Sequence, residues 1–112
     1  MANTFKLTTK TNVGVTTVGI YTAPTSTTTV VIGVTLANVS GSAIHVGVGV
    51  TRPAADASKE DIKLIKDVPI PQGSSFEFMA GNKLVLETND TVTVVSDTAS
   101  SLDVALTIME QT

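Results

Sequence analysis

Between Thr28 and Thr51 the chain alternates apolar residues with small or polar ones in two runs separated by one short loop, and this rhythm restricts the fold more than any other feature. Val30, Ile32, Val34 and Leu36 fall on one side of an extended chain, with Val31, Gly33, Thr35 and Ala37 on the other. After the loop from Asn38 to Ala43, Ile44, Val46, Val48 and Val50 alternate with His45, Gly47, Gly49 and Thr51. A period of two and a wealth of β-branched side chains predict strands, because branched residues lose rotamer freedom in a helix. The spacing predicts that the two runs pair antiparallel and present one continuous apolar face. At roughly 25 cal/mol per Å² of buried apolar area, that face supplies a large share of the folding drive, so a second sheet must cover it. The opposite face, around His45, Gly47 and Gly49, either accepts another chain closely or is solvated.

The remaining segments repeat the pattern at shorter length. Residues Ala2 to Asn12 are polar apart from Phe5 and Leu7, which predicts a first edge strand or an N-terminal arm reaching a neighbouring subunit. Thr16 to Thr22 predicts a strand that stops before Pro24, since proline cannot donate to a ladder. Arg52 to Asp61 is the most charged stretch and predicts a surface loop with at most one helical turn near Ala54 to Ser58. Ile62, Leu64, Val68 and Ile70 predict a strand whose phase slips near Ile65, where a bulge restores it. Phe76 and Phe78, then Leu84 and Leu86, predict a hairpin closed by Gly81-Asn82. Thr91 to Ser96 and Leu102 to Met109 complete the chain.

The fold class expected from these segments is all-β: one antiparallel β-sandwich domain over residues 1–112, jelly-roll or immunoglobulin-like, with eight or nine short strands. Nineteen threonines against three phenylalanines, one tyrosine and no tryptophan suit strands with polar, β-branched outer faces.

Charge and motif content narrow the function classes. A net charge of −3 offers no basic surface to nucleic-acid phosphates. No apolar run approaches the roughly 20 residues of a membrane helix, and the start of the chain lacks the apolar segment of a signal peptide, so a soluble chain beginning near Met1 is expected. Asn38-Val39-Ser40 and Asn89-Asp90-Thr91 match the glycosylation pattern but read as turns. There is no cysteine to form a disulfide or a thiolate metal site. His45 is the only histidine, and it sits mid-strand on the face away from the aliphatic row, with glycines two and four residues later, which predicts a surface or interface role rather than a Ser-His-Asp triad. Asp56, Glu60 and Asp61 lack the spacing of a calcium loop and predict a solvated loop. Asp97 and Asp103 predict capping of backbone N–H groups. The glycines form no phosphate-binding signature. No catalytic residue, cofactor or metal is expected. A sugar platform would have to be built on Tyr21 alone, beside Pro24.

Tyr21-Thr22-Ala23-Pro24, the run Val30 to Asn38, Lys83-Leu84-Val85-Leu86-Glu87 with Asp90-Thr91-Val92, and the ending Ile108-Met109-Glu110 carry a resemblance over nearly the whole length. The chain resembles small β-sandwich virion proteins of tailed bacteriophages, a group that includes capsid decoration (cement) proteins and tail or neck accessory proteins. The resemblance implies a non-enzymatic homo-oligomer, assembled in the host cytoplasm into the virion, whose partners are the major capsid protein or other virion proteins. A tail, neck or fibre-associated protein and a carbohydrate-binding module are the alternatives. The group has no shared catalytic motif to carry over. The candidate contact residues are Phe5, Lys6 and Leu7 in the first segment, His45, Gly47 and Gly49 on the small-residue face, and Arg52, Asp56 and Lys59 in the charged loop.

Overall fold

A computed structural model describes residues 3–78 and 83–112. Its strands are β1 (Asn3–Val13), β2 (Val18–Thr22), β3 (Thr28–Asn38), β4 (Ile44–Thr51), β5 (Ile62–Ile70), β6 (Ser75–Phe78), β7 (Leu84–Leu86), β8 (Thr91–Ser96) and β9 (Leu102–Gln111). Sheet A has the order β1-β9-β3-β6 with β7 also on β3, and sheet B the order β2-β8-β4-β5. All pairings are antiparallel.

With β6 and β7 counted as one interrupted strand, eight strands divide between the two sheets in the order of a jelly roll, β4 and β5 being the one consecutive pair within a sheet, and the immunoglobulin order is excluded. The two alternating runs therefore do not pair with each other. β3 lies in sheet A and β4 in sheet B, so each covers the other's apolar side across the sandwich. The loop between them changes sheets where the sequence reading expected a return within one sheet. It is held by Asn38, whose Nδ2 lies 2.8, 3.0 and 3.2 Å from the carbonyl oxygens of Ser42, Ile70 and Pro71.

The inward row of β3 also differs from strict alternation. A register shift between Val31 and Gly33 reverses the phase, so Thr29, Val31, Val34, Leu36 and Asn38 point inward, while Val30 and Ile32 are only half-buried. β4 keeps its predicted phase, with Ile44, Val46, Val48 and Val50 all buried. Val13, Ala23, Ile70, Leu86, Val92, Val94, Leu102, Val104, Leu106 and Ile108 complete the core.

Asn3–Val13 is an edge strand on β9, not a free arm. Residues 14–17 bend between strands, and β2 starts at Val18, later than the alternation suggested. Bulges in β5 flank Ile65, and Ile62 is left exposed. The Gly81-Asn82 pair lies outside the described residues. β6 and β7 on either side of it both run antiparallel to β3 and so share one direction, which excludes a hairpin between them. The loop 52–61 contains turns and no helix.

Candidate interaction surface

The outer face of sheet A carries an apolar row set by register alone. Phe5 on β1 pairs with Met109 on β9, Met109 with Val30 on β3, and Val30 with Val85 on β7. Their sequence neighbours Val31, Leu86 and Ile108 are buried, so these four side chains point away from the core. Phe5 and Val85 are 69% and 58% exposed, and Leu7, one step along β1, is 67% exposed. Leu7 pairs with Thr107, and Thr107 with Gly33, where an added Cβ would meet nothing within 4 Å. Isolated exposed apolar residues need no explanation, but a contiguous row across four strands is a candidate contact surface.

Lys6 belongs to the other face of β1. Its Nζ lies 2.8 Å from Glu110 Oε1, and the Tyr21 hydroxyl donates to Glu110 Oε2 at 2.5 Å and lies 2.8 Å from Thr29 Oγ1. The hydrogen bonds from Lys6 and Tyr21 hold the Glu110 carboxyl below the usual glutamate range. Burial, reinforced by the bond to Glu110, pushes the Tyr21 hydroxyl up to about 12. Tyr21 also packs against the core, so its ring is not an open sugar platform.

The small-residue face of sheet B is closely approached by the chain itself. A Cβ on Gly49 would sit 2.7 Å from the Ile62 carbonyl oxygen, and one on Gly47 would sit 3.3 Å from a Val95 methyl and 3.4 Å from the Ile65 carbonyl oxygen. The bulged β5 thus takes the room these glycines leave, and both are buried. His45 is exposed beside them. Its backbone N–H donates to Asp97 Oδ1 at 3.1 Å, and its Nδ1 lies 3.3 Å from Asp97 Oδ2. The backbone bond from His45 lowers the Asp97 carboxyl. Asp103 likewise accepts a backbone N–H, from Asn12 at 3.1 Å. A cavity of about 200 Å³ lies over this face, lined by His45, Gly47 and Gly49 together with Lys63, Ile65 and Val95.

Arg52, Asp56 and Lys59 lie at one end of the sandwich in an ion-pair network. Arg52 Nε meets buried Asp90 at 3.0 Å and its Nη2 meets Glu87 at 2.6 Å, while Lys59 Nζ lies 3.3 Å from Glu87 and 3.9 Å from Asp56. The hydrogen bond to Asp90 raises the Arg52 guanidinium, and hydrogen bonds from Ser58 lower the Asp56 carboxyl. This network fastens the 52–61 loop to the β7–β8 turn. Among the described residues, no three acidic, histidine or cysteine side chains come together in a metal-holding group.

The nine candidate contact residues therefore occupy separate places. Phe5 and Leu7 share the outer face of sheet A; Lys6, His45 with the two glycines, and Arg52 with Asp56 and Lys59 do not join them. Sequence reading missed Val30, Val85 and Met109, because which strand lies beside β1 is set by topology and leaves no local signal.

No protein-family model matches this chain, and no curated protein matches it in sequence. Among solved structures, the fold is similar to that of Bacillus endospore appendages, described as a novel family of disulfide-linked pili. The TM-score is 0.50 at 16% sequence identity, over 97% of this chain and 84% of that one. At that identity the likeness bears on the fold.

Proposed function

We propose that this chain is a non-enzymatic structural protein of a tailed-bacteriophage virion, a capsid decoration protein that binds the major capsid protein through the outer face of sheet A. The observation that carries the proposal is the outward row Phe5, Met109, Val30 and Val85, exposed at its two ends and half-buried in its middle, on one face of the two-sheet body. The resemblance to phage virion proteins supplies the setting. Many copies, each burying a modest apolar area between coat subunits, stabilise a shell by multiplicity rather than by the strength of any one contact.

A second reading, a tail, neck or fibre-associated subunit, is favoured by the fold likeness to a pilus protein. In such an assembly this chain would hold its neighbours without disulfides, since it has no cysteine. The carbohydrate-binding reading loses its platform, because the Tyr21 hydroxyl is bonded to Glu110 and Thr29.

Quantifying the chain against the coat protein in purified particles tests the proposal. A copy number of the same order as the coat protein supports decoration. A few copies per particle favours the tail or neck reading, and absence from particles rejects both.

A further inference from the structure

The side edges of the sandwich are unequal. In sheet B, β5 carries two bulged registers, Pro69 and a left-handed Asp67 at φ 55°, while β2 has five residues, a register shift and Pro24 just beyond it. In sheet A, the edge along β3 is divided between four-residue β6 and three-residue β7. Short length, bulges and proline all discourage a sheet edge from pairing with another chain.

β1 has none of these three features along its regular stretch, and the charge of Lys6, which would also discourage pairing, is met by Glu110 of the same chain. It pairs with β9 in unbroken register from Asn3 to Lys10, contains neither glycine nor proline there, and shifts register only between Lys10 and Val13. No described strand pairs with its other side. Phe5 and Leu7 stand exposed on its outer face.

We infer that β1 is a self-pairing edge: two copies join β1 to β1, antiparallel, about a two-fold axis perpendicular to the sheet and centred on Leu7. Such an axis keeps the outer faces of both copies on one side, so residues directly opposite must share a face. Centring on Leu7 places Leu7 opposite Leu7 of the second copy, with Phe5 opposite Thr9 and diagonal to the second copy's Leu7. Lys6 then faces Thr8, and Lys10 faces Thr4. Moving the register by two residues opposes Lys6 to Lys6 in one direction and Lys6 to Lys10 in the other, and like charges directly opposite are unfavourable. The favoured register uses Thr4 to Lys10, which lies wholly within the regular part of the strand. Sheet A then runs from one copy into the next, and the two apolar outer rows become one stripe. This pairing is independent of what the stripe binds.

Sedimentation of the full chain, with substitutions at Leu7, tests the pairing. Wild type should have twice the 11.5 kDa chain mass and a melting temperature that rises with chain concentration, and Leu7→Lys should fall to the single-chain mass while staying folded, with melting independent of concentration. Under mild oxidation Leu7→Cys should form a covalent dimer, since opposed strand residues sit within disulfide reach and the chain has no other thiol. Val85→Cys, similarly exposed, should not. A wild type that sediments as a single chain overturns the inference. So does a dimer that cross-links through Val85→Cys and not through Leu7→Cys.

Discussion

Asn38 and Glu110 show how single buried polar residues fix this fold. Asn38 also accepts hydrogen bonds from the Ser40 N–H and hydroxyl, so one side chain organises the loop that carries the chain between sheets. Asn38→Ala leaves buried carbonyls without a donor and should cost about 2–3 kcal/mol in urea unfolding. The Glu110 site predicts the acid limb of stability. Its folded-state pKa is depressed, so its contribution is full above the unfolded value of about 4.3 and is lost as pH falls through the folded one. Glu110→Gln should flatten that loss in unfolding measured from pH 7 down to pH 3. Tyr21 acts in the opposite direction: its raised pKa gives stability that is full below about 10 and lost as pH climbs toward about 12. Tyr21→Phe should remove that alkaline loss and cost about 1–2 kcal/mol at neutral pH through the missing hydrogen bond to Glu110.

Among the elements, β4 and β5 explain why glycine stands where a strand-forming residue would otherwise be favoured. Gly49→Ala forces its Cβ against the Ile62 backbone oxygen and should cost about 1–3 kcal/mol. Gly33→Thr places its side chain in open space on sheet A and should leave the melting temperature unchanged or slightly raised. The same elements show what alternation reveals. Most strands, the inward side of β4 and the bulge near Ile65 were legible because each is a local matter of period two and turn residues. The phase reversal of β3 was not, because Val30, Val31 and Ile32 are all branched and apolar, and the pattern reads the same in either phase. Nor was the separation of β3 from β4, since a six-residue loop can close a hairpin or cross a sandwich, and Asn38 settles the matter by reaching Ile70 and Pro71 far along the chain. The candidate contact surface was legible only at Phe5 and Leu7, where apolar residues interrupt a polar strand.

At the scale of the molecule, the two faces of the sandwich differ in character. Sheet B uses its small residues to admit its own β5, whereas sheet A carries an outward apolar row with Phe5, Leu7 and Val85 exposed. The proposed role rests on that asymmetry, with sheet A as the side that meets the coat protein. The most direct measurement is co-sedimentation of purified chain with particles that lack it, comparing wild type with the Val85→Lys and Met109→Lys double variant. Neither substitution lies on β1, Val85 being on β7 and Met109 on β9 beside Phe5, so the variant should stay folded and paired, as melting and sedimentation check. Wild type should pellet with particles to saturation while the double variant loses at least tenfold in affinity, about 1.4 kcal/mol or more. Equal binding by a folded double variant would contradict the account.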